Sequence, residues 1–253
     1  RPQVACPSGS RLACAAAACA ALVVICAAAT PTAAALQDLR SPAAGQATWL
    51  LHASEHFEIF HDRLPLDRVT EVARAAEAAY AQLNAALKYD IPQRVRIVLV
   101  PRDRDLTGTP LQGSNVGTAN AIAGQRLVIS LESLGRGDGI LVHELTHRFA
   151  FEIVPDTSRV APILIEGLAE HQRGVWRAED LRMTQDAVAA GAFPPLANLV
   201  ATDRHWAHAL FDFVAARYEA EGIRRLLFAL RSRETLAPAV PMAFGVTLDQ
   251  FDQ

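Results

Sequence analysis

Two histidines four residues apart flank a glutamate in His143-Glu144-Leu145-Thr146-His147, inside an apolar run from Ile140 to Phe151 with helical character. Residues four apart share one face of a helix, so the two imidazoles project side by side and are able to grip one Zn²⁺. Glu144, beside them, is placed to act on a zinc-bound water. An open zinc site takes three protein ligands and leaves a further position for water. The candidate third ligand is Glu166, in Glu166-Gly167-Leu168-Ala169-Glu170. Eighteen residues separate it from His147, enough for one helix to end, a loop to turn and a second helix to return. Without that third ligand, the motif reduces to two helix histidines at a chance spacing.

H-E-L-T-H, eighteen residues and then E-G-L-A-E resembles the gluzincin metallopeptidases, and among them the bacterial peptidase MA-like group related to the aminopeptidase branch. The resemblance runs from about Phe57 onward and is sharp only at the zinc motif. It implies His143, His147 and Glu166 as ligands of Zn²⁺, Glu144 as general base, and a peptide or protein as substrate. It further implies an α+β, zincin-like fold: a small N-terminal sheet with a long helix, then a mostly helical C-terminal lobe, with zinc in the cleft between. Glu170 falls one helical turn after Glu166. Gluzincins often place an acid there to hold a ligand histidine by its second ring nitrogen, and imidazole ligands need such a partner on physical grounds as well. The plain alternative is a solvated helix carboxylate.

One role is filled less well. A tetrahedral oxyanion needs a donor besides the metal, commonly Tyr or His in gluzincins. The group often has a Tyr near the start of the helix that here opens at Trp206, and an indole N–H is a poorer mimic of a hydroxyl. His205, His208 and Tyr218 are close in sequence, and His208 is the candidate donor. The departure from the pattern bears on turnover rather than on zinc binding. It leaves open a second function, a zinc-binding interaction module of the cell envelope with little or no catalysis. The group also usually continues past the position of Gln253, so the resemblance implies a C-terminal truncation.

Residues 1–35 are a different material from the rest. Arg1 and Arg11 give a basic start, Leu12 to Ala29 is uncharged and rich in Ala, Cys, Leu, Val and Ile, and Ala33-Ala34-Ala35 follows Thr30-Pro31. That is the layout of a secretory signal peptide with a small-residue cleavage site. The run also reaches the minimum of about 18 residues for a membrane anchor. A lipidated Cys26 is a third option, disfavoured by the bulk of Ile25. All four cysteines lie in this segment. Cleavage near Ala35 would leave no disulfide framework and no thiolate ligand. It would also remove two arginines and take the formal charge from −3 to −5. The expectation is therefore an exported protein, touching a membrane only through an uncleaved N-terminal segment. With that charge and no basic patch, a nucleic-acid partner has no electrostatic support.

The positioning elements follow from periodicity. Residues 36–52 read as a linker, and 53–253 as the metallopeptidase domain. His56 to Phe60 alternates in part and predicts a strand. His52, His56 and His61 suggest a second metal site, but strand geometry would scatter them over both faces. Leu66 to Leu87 is amphipathic, with Val69, Val72, Ala73, Ala76, Ala79, Tyr80, Leu83 and Leu87 inward and Arg68, Glu71, Arg74 and Glu77 outward. Val95–Val100 and Leu127–Leu131 predict strands, with a loop over Pro101 to Asn120. The resemblance makes residues near 121–130 an edge strand able to pair with an extended peptide. Asp138 is the expected N-cap of the zinc helix. Pro162 fits the first turn of the next helix. Further helices are predicted over Glu179–Ala190, and over Trp206–Glu219 and Ile223–Leu230 with Gly222 between them. Phe244 to Asp249 opens a capped segment.

Overall fold

Helix α1 shows how the scaffold is set. In the computed structural model it spans Leu66–Leu87, and the eight side chains of its apolar stripe are the ones buried. The structure describes residues 49–106, 126–137, 139–155, 162–196, 203–233 and 235–253. The expectations for residues 1–35, for most of the linker, for residues 107–125 of the loop and edge segment and for Asp138 lie outside these. No helix of the described residues is long and apolar enough to cross a membrane.

The protein is α+β, mostly helical with a small sheet. The described strands, β1 (Trp49–Ala53), β2 (Phe57–Asp62), β3 (Val95–Val100) and β4 (Arg126–Ser130), lie in the order β1-β2-β3-β4. The β1–β2 pair is antiparallel, and β2–β3 and β3–β4 are parallel. Ile59, Ile97 and Leu127 are in register and face the main core, shared with α1 and with the helices that follow. Phe60, Val98 and Val128 are the next register row, and they build a small cluster on the other face with Trp49 and Leu106. Successive side chains of a strand point to opposite faces. The near-continuous apolar runs of β2 and β3 therefore cover both sides of the sheet.

Three readings change around the sheet. Strand β1 begins within the stretch read as linker, because its half-buried alternation is too weak to stand out in five residues. Glu77 does not point into solvent. It accepts hydrogen bonds from Ser54 Oγ (2.6 Å) and the His56 backbone N–H (2.9 Å), pairs with His56 Nδ1 (2.6 Å), and so ties the β1–β2 turn to α1. Burial works to raise its pKa, but those bonds outweigh burial and leave it lowered. Leu131 leaves the strand and starts a short helix, α2 (Leu131–Gly135), capped by Ser130 Oγ on the Ser133 N–H.

After the sheet come α3 (Ile140–Ile153), α4 (Pro162–Arg173), α5 (Ala178–Ala190), α6 (Arg204–Arg233), α7 (Leu236–Phe244) and α8 (Leu248–Phe251). Pro162 opens α4 as expected. Helix α6 breaks at Glu219 (φ 60°, ψ −176°), where the first of the two predicted helices ends. Gly222 is needed for another reason: a Cβ there would lie 2.4 Å from Tyr218 Cβ. Helix α7 departs from the sequence pattern, since Pro238 and Pro241 speak against a helix there. It forms because Ala239, Val240 and Ala243 bury against α6. The capping box of Thr247 and Gln250 starts α8, as the sequence predicts.

Candidate metal centre

Helix α3 is buried on most of its circumference, with Leu145, Phe149 and Ala150 fully enclosed. Its position is set at the N-terminus by Gly139, which occupies the cap at φ 73°. A Cβ at Gly139 would lie 2.9 Å from Arg173 Cγ of α4. The cap therefore carries no side chain, where the sequence suggested Asp138. The helix period then brings His143 and His147 to one face, both buried and with their Nε2 atoms 3.2 Å apart.

Helix α4 returns across this face and supplies the acid. Glu166 Oε2 lies 3.7 Å from His143 Nε2, and Oε1 lies 3.5 Å from His147 Nε2. These three side chains form a group able to hold a metal ion. Donors bound to one tetrahedral ion at 2.0–2.2 Å stand about 3.3–3.6 Å apart, so the donor set and its spacing both fit zinc. The charge state of His147 fits too. Burial first, then the neighbouring His143, pushes the His147 pKa down to about 3, which keeps its lone pair available. Burial raises Glu166, Arg204 opposes the shift, and Glu170 adds to it. A bound cation acts in the opposite sense on such a carboxylate.

Two more acids complete the surroundings. Glu144 is pushed up to about 7, by burial first and then by the charges of Glu166 and Glu170. A carboxyl tuned near neutrality is suited to taking and returning protons. Glu170 is buried, not a solvated helix carboxylate, with Oε1 at 3.6 Å from His143 Nδ1. Its other oxygen accepts from Arg173 Nη1 at 3.2 Å.

The remaining sequence-predicted residues have other direct neighbours. His208 is buried and stacked on Trp176, with ring centroids 3.8 Å apart and planes 9° apart. Its Nε2 looks toward Asp212 Oδ1 at 3.6 Å. Trp206 packs edge-on against Phe193 at 5.0 Å. Among the described residues, His52, His56 and His61 form no metal-holding group. His56 is taken by Glu77, and His61 is buried on β2 with its pKa lowered, by burial first and then by His52. The sequence reading missed His171, Trp176 and Asp212. Only the i, i+4 spacing of His208 and Asp212 signalled them, and that spacing is common. Comparison of the chain with family models, with curated proteins and with solved structures gave no match.

Proposed function

We propose that this protein is a zinc-dependent metallopeptidase. The observation that carries the reading is the convergence of His143 Nε2, His147 Nε2 and the Glu166 carboxylate, with Glu144 next to them. His143, His147 and Glu166 would hold the ion, and Glu170 would fix the His143 ring through Nδ1. When bound there, zinc supplies Lewis-acid polarisation of a carbonyl and acidifies a water. Glu144 accepts the proton of the attacking water and hands it to the leaving amine, a general-base and then general-acid role. His208 is left outside this set, since its Nε2 faces Asp212.

Export belongs to the same proposal and rests on the composition of residues 1–35. Protein recovered from the envelope or medium should begin near Leu36, and an uncleaved, membrane-embedded chain would replace the signal peptide by an anchor. The central test is cleavage of a broad peptide library by the zinc-loaded chain, read by mass spectrometry beside a Glu144→Gln control. Cleavage by wild type and its loss in the variant support a peptidase. A zinc-loaded wild type that cleaves nothing overturns it in favour of the zinc-binding module.

A further inference from the structure

A second group of metal-ligating side chains stands where α4 meets α6. His171, at the end of that helix, meets His208 and Asp212, which lie one turn apart on α6. One donor atom from each lies within 4.8 Å of the others. His171 Nδ1 and Asp212 Oδ1 are 2.6 Å apart. His208 Nε2 stands 3.6 Å from the same oxygen, too long for a hydrogen bond and close to the spacing of two ligands on one ion. The trio is held from outside. Trp176 Nε1 donates to Asp212 Oδ2 at 2.9 Å, fixing the carboxylate, and its indole face clamps the His208 ring. Ligand orientation by outer partners of this kind is how metal sites are preorganised. The side chain of Asp212 is 42% exposed while that of His208 is 5% exposed, so the group has a buried floor and an open mouth.

We infer that His171, His208 and Asp212 form a second site for a divalent transition-metal ion, zinc by its donor set, distinct from the His143/His147/Glu166 centre. Two imidazoles and one carboxylate are the donors that borderline ions such as Zn²⁺ take, with the remaining position open to water. Binding replaces the His171–Asp212 hydrogen bond. The pair must open by about 0.7–1 Å to bring both atoms onto one ion, a movement the half-exposed Asp212 can make by side-chain rotation. This site goes beyond the peptidase reading and does not rest on it.

The test is equilibrium dialysis of the full chain against Zn²⁺, with circular dichroism and melting as fold controls. Wild type should bind about two ions per chain, and His147→Ala/Glu166→Ala should retain about one. Asp212→Asn should lose one ion and keep the other. Since Asp212 also anchors Trp176, His171→Gln is the variant that removes a ligand without touching that anchor, and it too should lose one. Combining His171→Gln with His147→Ala/Glu166→Ala should abolish binding. A folded His171→Gln chain that keeps the wild-type stoichiometry overturns the second site. So does a His147→Ala/Glu166→Ala chain that binds nothing. Failure of the first centre reads differently: His147→Ala/Glu166→Ala would then leave the wild-type count unchanged.

Discussion

Helix α4 contributes to two clusters of the same composition, two histidines and one carboxylate each, that are built in opposite ways. In the first, both imidazoles come from consecutive turns of α3 and the acid comes from α4. In the second, α4 gives a histidine, while a His and an Asp come from consecutive turns of α6. The first is enclosed and surrounded by two further acids, Glu144 and Glu170. The second has a solvent-facing carboxylate and an aromatic clamp. The donor set is therefore not what distinguishes the two clusters. The first cluster has an ionisable group tuned by burial and by its neighbours, and Glu144 is that group. The second has Trp176 in the corresponding outer position, which can orient but cannot titrate.

The largest difference between the clusters should appear on removing Glu144. Glu144→Gln keeps size and shape but removes the basic carboxylate. Peptide hydrolysis should fall by about 10²–10⁴-fold, the range for losing a general base. Zinc content at both clusters and the melting temperature should stay near wild type. A variant that stays fully active would show that the two clusters do not differ by a proton carrier at Glu144.

Next is the contact on which the second cluster depends. Gly167 lies where α4 meets α6, and a Cβ there would come within 2.5 Å of Ala207 Cβ and 2.6 Å of its backbone carbonyl. Overpacking against backbone costs about 1–3 kcal/mol, so Gly167→Ala should lower the melting temperature by an amount consistent with that. The second cluster spans this contact, whereas the first spans α3 and α4. Zinc should therefore be weakened more at His171/His208/Asp212 than at His143/His147/Glu166. Equal weakening at both would mean that α4 shifts as a whole.

This dependence explains what was legible in the sequence. The first centre was readable because its histidine pair is fixed by the helix period and its acid by a short return. The stripe of α1 and the strands β3 and β4 were readable for the same reason: one local period determines the face. His171 and Asp212 are 41 residues apart in sequence, and nothing local says that α4 and α6 approach closely enough to join them. The cue for that approach is Gly167, a glycine inside a helix, and its partner Ala207 cannot be identified until the fold is known. Glu77 failed in the other direction. Its position on the helix wheel was right, but the β1–β2 turn folds over that face and captures it.

A smaller effect should separate Glu170 from the first cluster's ligands. Glu170→Gln removes the charge facing His143 Nδ1 while keeping a group that can accept a hydrogen bond. Loss of such an outer partner costs metal affinity by 10–100-fold, and the 3.6 Å separation places Glu170 near the low end, at about tenfold. Competition with a chelating dye measures it. A change as large as that of Glu166→Ala would make Glu170 a ligand in its own right.

The smallest effect concerns the clamp of the second cluster. Trp176→Phe keeps an aromatic face for the His208 ring but removes the N–H that donates to Asp212 Oδ2. A hydrogen bond of this kind contributes about 1 kcal/mol net at a half-exposed acceptor. Zinc affinity at the second cluster should fall several-fold while the first is untouched. The sign of the accompanying pH effect is fixed. The folded-state pKa of Asp212 is depressed, and the Trp176 bond is one of the reasons. Its contribution to stability is present above the ordinary Asp value of about 3.9 and is lost as pH falls through the lower, folded value. Trp176→Phe should raise that folded value toward the ordinary one, narrowing the acid window over which Asp212 stabilises the fold. The Asp212 carboxyl carbon, followed by NMR through an acid titration of the metal-free chain, reports the shift directly. An unchanged Asp212 titration in Trp176→Phe would show that the indole only packs, and that His171 alone holds the carboxylate.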